Sequence, residues 1–334
     1  MPLAAAAIIP HGGIVADPDI LTQHPGLEAA HADALELQHA AREAALALAA
    51  PDPSLIVLIT PHGFASDSDW GIYTGNDRAT GNASGGAARG DPPVEVALDT
   101  ARSKELLAAL RDSGVAACGI SFGSEQGSAA WPEPSHVLAG SREAMPMFWG
   151  EVNPLYFAMG ACDPAQPPRV VIISLPTRQD GHQKSFHAEC VQVAEVLSGW
   201  VDSMDGEETV AMLVSADLAH THPSQAHLPG YTKGPGVQPF AISAEGAAKT
   251  YDEAVGEWAS TLSGAPLLET AADTANDAHC DNHLGFMVLH AMLQADSREW
   301  QSKPEAHCLK APMYFGMLVA AMAPEQPPQQ QAKL

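Results

Sequence analysis

The sequence predicts an α/β fold, a single domain with a central, largely parallel sheet flanked by helices and a metal site at the C-terminal ends of its strands. Two observations carry the fold. Apolar, β-branched runs of five or six residues stop at proline, as Leu55-Ile56-Val57-Leu58-Ile59-Thr60 does before Pro61-His62-Gly63. Such uninterrupted runs are what strands buried on both faces of a parallel sheet look like. Long alanine- and leucine-rich segments without proline or glycine lie between them and read as helices. A third observation points to the site. The same Pro-His-Gly device ends two different strands, since Ala5-Ala6-Ala7-Ile8-Ile9 runs into Pro10-His11-Gly12-Gly13. Proline ends a ladder because it has no N–H, so each histidine is handed to a loop at a sheet edge.

Residues 26–50 follow the first strand as a helix that Pro51-Asp52-Pro53 stops, and the strand at Leu55 completes a βαβ unit. A βαβ unit requires parallel strands and a crossover. Residues 64–93, glycine-rich and polar, read as an excursion above the sheet edge. A helix is expected over residues 100–113 and an irregular stretch over 114–149. Val170–Ser174 is the next strand, with Arg178, Asp180 and His182 in its loop, and a helix over 183–200 follows. Val210–Ser215 is a further strand and delivers Ala216-Asp217-Leu218-Ala219-His220. Helices are expected at 243–262 and 281–295 around a proline- and glycine-rich loop at 223–239. Pro312–Val319 reads as an edge strand or a short last helix. The domain is expected to span 1–323, with 324–334 as a disordered tail rich in proline and glutamine.

Charge and cysteine content narrow the partners. The chain of 334 residues carries 16 Lys and Arg against 40 Asp and Glu, a net charge of −24. That surface repels phosphate backbones and anionic lipid, so nucleic acid and membrane partners are not expected. The five cysteines are widely spaced with no CxxC pair, which points to a reducing, cytoplasmic setting. The N-terminal apolar run is short, without basic residues before it, and reads as a first strand and not as a signal peptide.

Ligands of open α/β sheets bind outside the carboxyl ends of the strands. Three strands here lead to a histidine, His11, His62 and His220, and imidazole both ligates metals and transfers protons near neutral pH. Two histidines need a further protein ligand. Asp277-Ala278-His279-Cys280-Asp281-Asn282-His283, just ahead of an apolar helix, offers several donor types, with Asp281 or Asn282 also suited to cap that helix. Two histidines and one carboxylate make the facial triad of non-haem Fe(II) oxygenases. No GxGxxG or Walker loop is present.

Ile9-Pro10-His11-Gly12-Gly13, Thr60-Pro61-His62-Gly63, Ser215-Ala216-Asp217-Leu218-Ala219-His220 and Tyr314-Phe315-Gly316-Met317 together resemble the class III extradiol dioxygenase superfamily. The nearest branch is the protocatechuate 4,5-dioxygenase β-chain type, which includes the Memo-like proteins. The resemblance runs from residue 5 to about 323. It implies that His11 and His62 bind Fe(II), with Zn or Cu as alternatives, and that His220 is the acid/base. Asp217 matches an acidic residue of the Memo-like pattern. A small catechol-type aromatic and O₂ would be the partners, and a homodimer is allowed.

The chain departs from the enzyme pattern in two places. The third ligand falls on Asp281, which keeps the carboxylate, or on Cys280, as in the Memo-like set. Trp149 stands where a substrate-contacting histidine would be, and with His182 is assigned to the substrate pocket. The alternative function is a Memo-like metal-binding protein without dioxygenase activity, regulatory or peptide-binding. A zinc hydrolase would need Glu151 or Asp217 as its base.

Overall fold

The computed structural model describes residues 3–64, 66–122, 135–138, 144–176, 186–204, 206, 208–223 and 246–325. The chain opens with β1 (Leu3–Ile9), a short helix α1 (Gly13–Ala16) and the long α2 (Glu28–Ala49), then β2 (Leu55–Thr60). Next come β3 (Trp70–Tyr73), β4 (Arg78–Gly81), α3 (Gly86–Arg89), β5 (Val94–Ala97) and α4 (Thr100–Asp112). They are followed by β6 (Ala117–Phe122), β7 (Ser135–Leu138), β8 (Met145–Pro146) and α5 (Trp149–Ala161). The second half runs through β9 (Arg169–Ser174), α6 (His187–Asp202), β10 (Val210–Ser215) and α7 (Ala247–Thr261). A π-helical turn (Pro266–Ala271) leads into α8 (Ala272–Ala278), then α9 (His283–Ala295), β11 (Trp300–Ser302), β12 (Cys308–Lys310) and β13 (Met317–Pro324).

Among the described residues ten strands form one sheet in the order β11-β13-β1-β10-β2-β9-β3-β6-β7, with β12 also paired to β13. The centre is parallel: β1 pairs β10, β10 pairs β2, and β2 pairs β9. Antiparallel pairings border it, β13 on β1 and β3 on β9. β4, β5 and β8 make a separate three-stranded sheet.

Both faces of the central strands are buried, which explains their uninterrupted apolar sequence. Side chains alternate between two cores, as the period of two in a strand requires. Ala6, Ile8, Val57, Ile59, Met212 and Val214 face one core with α4, α6, α7, α8 and α9. Ala5, Ala7, Ile9, Ile56, Leu58 and Leu213 face the other with α1, α2 and α5. In α2 the buried positions Ala30, Ala34, Leu37, Ala41, Ala44 and Leu48 recur at helical spacing. Alanines on both α2 and β1 let the helix lie close to the sheet. All five cysteines are free thiols. No helix among the described residues is long and apolar enough to cross a membrane.

The expected βαβ unit is present with one refinement. β1 and β2 are parallel but not neighbours, because β10 from late in the chain lies between them. Three expectations need correction. The excursion at 64–93 contains β3 and β4, and the irregular stretch at 114–149 contains β6, β7 and β8. These strands are only two to six residues long and β3 carries Gly71, so no long apolar run marks them. The last apolar piece is neither an edge strand nor a helix. β13 is interior, between β1 and its antiparallel partners β11 and β12. It continues to Pro324, and Glu325 N–H donates to the Glu299 carbonyl at 2.7 Å. The rest of the tail, the loop at 224–239, and Arg178, Asp180 and His182 lie outside the described residues.

Candidate metal centre

Topology brings the site residues together. In register, Ile9 pairs with Ser215 and Thr60 with Ser174, so β1, β10, β2 and β9 end along one edge. β10 sits between the two strands that carry Pro-His-Gly. Two strand spacings separate β1 from β2 by roughly 10 Å. The side chains close that gap, and the rings of His11 and His62 meet edge to face with centroids 4.7 Å apart. The loop after β10 supplies Asp217 and His220 from between them.

Asp281 arrives from a different element. His279 adopts a left-handed conformation (φ 48°) at the end of α8 and reverses the chain there. Asn282 then caps α9, its Oδ1 accepting from Gly285 N–H at 2.9 Å. Its Nδ2 donates to the Ser215 carbonyl at 2.6 Å, which pins the start of α9 to the end of β10. Asn282 takes the capping role, and Asp281 is left facing the histidines. Its Oδ2 lies 3.0 Å from His11 Nε2, 3.3 Å from His62 Nε2 and 4.0 Å from His220 Nε2.

Hydrogen bonds fix which nitrogen of His11 carries its proton. Ser215 Oγ donates to the Gly150 carbonyl. A carbonyl only accepts, so that hydroxyl proton is committed. Ser215 Oγ must therefore accept from His11 Nδ1–H, at 3.0 Å. The neutral ring consequently turns the Nε2 lone pair toward Asp281. Neither Asp281 oxygen has a hydrogen-bond partner among the described residues, and both are sealed from solvent. A lone pair facing a buried, unpartnered carboxylate calls for a cation between them.

A proton or a metal ion can fill that role. Burial alone would depress the pKa of His11, but Asp217 and Asp281 outweigh it and raise it to about 9. Burial opposes ionisation of Asp281, yet His11, His62 and His220 hold it well below the usual carboxylate range. His11, His62 and Asp281 each offer a ligand atom within 4.8 Å of the others. Two imidazoles and a carboxylate of this tautomer fit a divalent metal.

The other candidates fall around this set. Cys280 lies outside it, buried in the core beside Tyr251. Burial and the neighbouring Asp281 push its thiol up to about 12, against the contact with Tyr251. Asp217 Oδ1 accepts from Gly12 N–H at 3.1 Å and its Oδ2 is 3.7 Å from His11 Nε2. Burial raises the pKa of Asp217. His220 Nδ1 donates to the Leu218 carbonyl at 3.0 Å, so its Nε2 lone pair faces the site. Trp149 is 52% exposed, with its ring 5.4 Å from that of His62. Phe148 and Phe64 continue this aromatic rim, their rings 5.1 Å apart. Helix α5 reaches His62 because position 150 is glycine: a Cβ there would stand 2.6 Å from His62 Cβ.

Asn153 and Asp252 escaped the sequence reading, and Glu151 entered it only as a possible hydrolase base. Asn153 Nδ2 donates to the His11 carbonyl at 2.6 Å. Glu151 is fully buried; Tyr73 Oη donates to its Oε1 at 2.6 Å and Phe148 N–H to its Oε2 at 2.9 Å. With both oxygens so engaged, Glu151 braces the rim and is not placed as the base of a hydrolase. Asp252 accepts from His222 Nε2 at 2.6 Å and from Ala219 N–H at 3.0 Å, which holds the loop carrying His220. For Asn153 the only available signal was position, four residues after Trp149.

No protein-family model matches the chain. No curated protein matches it either. Among solved structures it is similar to the uncharacterized protein JW3007 from Escherichia coli K12, at 13% identity and a TM-score of 0.47, over 95% of this chain and 99% of that one.

Proposed function

We propose that this chain is a non-haem Fe(II)-dependent extradiol-type dioxygenase that cleaves a catechol-type aromatic with O₂. One observation carries the reading: His11 and His62, from two parallel strand ends, meet the unpartnered carboxylate of Asp281. This is a two-histidine, one-carboxylate set that leaves coordination positions for substrate and O₂. Bound Fe(II) would supply a Lewis acid and a one-electron route to O₂. Zn or Cu would suit the same donors.

The chain's own groups do the rest. Trp149 and Phe148 give the aromatic ring a face to stack on. His220, with its lone pair on Nε2, takes the proton of a substrate hydroxyl and returns it as the ring opens. Asp217 holds the Gly12 turn against the loop of His220. The five free thiols suit a reducing cytoplasm.

Aerobic turnover of a catechol panel by Fe(II)-loaded protein tests this. A yellow ring-fission product is expected, and His62→Ala should lose both the product and the iron. Iron bound without product from any catechol would overturn the dioxygenase reading. It would favour a Memo-like metal-binding protein, which the exposed Trp149 beside His62 already recommends as the second reading.

A further inference from the structure

Helix α5 carries a proline in its interior, Pro154, and yet runs on from Trp149 to Ala161. Its ladder steps by four residues at the start, with Val152 N–H donating to the Phe148 carbonyl at 2.8 Å. The carbonyl that position 154 would serve is therefore that of Gly150. Proline has no N–H to give it, and its ring crowds the carbonyl four residues back. Gly150 is buried, where a carbonyl left without a donor costs free energy. Ser215, at the end of β10, supplies the donor instead: its Oγ donates to the Gly150 carbonyl. This is the same proton whose commitment makes Ser215 Oγ accept from His11 Nδ1–H.

We propose that Pro154 is a positioning residue for His11: by withholding an N–H from the Gly150 carbonyl it draws the Ser215 proton there, and so fixes Nε2 as the nitrogen that His11 presents to the metal. With an N–H at position 154, the helix would claim the carbonyl and the Ser215 hydroxyl could turn its proton to His11 Nδ1. The neutral ring would then carry its own proton on Nε2, facing Asp281, and could not ligate through that atom. A carbonyl can accept twice. An N–H in line with the helix and the loss of the crowding ring nevertheless both turn it toward the helix axis, away from Ser215. The proposal rests on His11 as a metal ligand and not on ring cleavage.

Zn(II) affinity in a double-mutant cycle tests it. Pro154→Ala should weaken Zn(II) binding about tenfold, the low end of what such partners contribute. In the Ser215→Ala background the same change should do nothing further, because the hydroxyl it acts through is gone. Equal weakening in both backgrounds would mean that Pro154 acts on packing alone and would overturn the proposal. Unchanged affinity in Pro154→Ala would overturn it too. Pro154→Ser restores the same N–H and should repeat the result, so the test survives if one variant does not fold. Nitrogen NMR of the histidines gives a second readout: Zn(II)-loaded wild type should hold its His11 proton on Nδ1, and a proton on Nε2 there would overturn the proposal. Failure of wild type to bind Zn(II) counts against the metal reading alone. The same spectra of the metal-free chain, at an alkaline pH where the ring is neutral, then decide: the proton should sit on Nδ1 in wild type and move to Nε2 in Pro154→Ala. A proton that stays on Nδ1 in the variant would overturn the proposal.

Discussion

His11 Nε2 stands 3.0 Å from Asp281 Oδ2, and in the neutral ring neither atom has a proton to offer the other. In the metal-free chain a proton must bridge them, and the pKa of His11 is raised to about 9. Its ordinary value is 6.5. A raised histidine stabilises the fold fully below the unfolded value, and that contribution fades as pH rises through the folded one. Chelator-treated protein should therefore lose stability between pH 6.5 and about 9. The loss amounts to about 3 kcal/mol. Metal replaces the proton, so loaded protein should show little of this slope. Denaturant midpoints of both forms across this range check it.

Ser215 sets the tautomer of His11 from behind the ring. Partners of this kind typically contribute about 10- to 100-fold to metal affinity. Ser215→Ala should weaken metal binding by that factor. Its buried hydroxyl also bonds the Gly150 carbonyl, so a modest stability loss of about 1 kcal/mol should accompany it. Competition titration with a chromophoric chelator measures the first effect and urea unfolding the second.

Glu151 is a buried acid whose pKa burial raises from 4.5 to about 7, against the hydrogen bonds from Tyr73 and Phe148. Between those values the unfolded chain has lost its proton and the folded chain has not. Stability therefore falls as pH rises from 4.5 to about 7, by about 3 kcal/mol in total. Glu151→Gln should remove this slope. The same change keeps an acceptor for Phe148 N–H but turns an amide NH₂ toward the Tyr73 hydroxyl, so the bond that Tyr73 donates to Glu151 is lost or reversed. An unchanged pH slope in the variant would contradict the assignment.

The parts of the fold legible in the sequence were those with one strong local cause. β2 and β10 are apolar runs of β-branched and aliphatic residues, and α2 is a long alanine-rich stretch; each stands within two residues of its expected place. The histidines of the site were legible because Pro-His-Gly is a local device. What decides the site is non-local. Nothing near Val210 says that β10 will insert between β1 and β2, yet that insertion places Asp217 and His220 between the two imidazoles. The choice between Asp281 and Cys280 likewise depends on Asn282, which caps α9 while bonding the carbonyl of Ser215, 67 residues away in the chain. β3 was missed because Trp70-Gly71-Ile72-Tyr73 becomes a strand only through β6 and β9.

Asn282 fixes the entry to α9 at both ends of its side chain. Asn282→Ala removes a cap worth about 1 kcal/mol and leaves the Ser215 carbonyl without its donor. We expect a total loss of about 2–3 kcal/mol. Metal affinity should fall with it, because Asp281 is the next residue. Asn282→Asp keeps the cap but not the donor, and should lie between the two. Chemical denaturation paired with metal titration separates these outcomes.

The central claim is that Asp281, with His11 and His62, holds the metal. Anaerobic reconstitution with Fe(II), followed by metal analysis of wild type, Asp281→Asn and Cys280→Ser, tests it most directly. Wild type and Cys280→Ser should retain iron after desalting, and Asp281→Asn should lose it. Iron retained by Asp281→Asn and lost from Cys280→Ser would contradict the account.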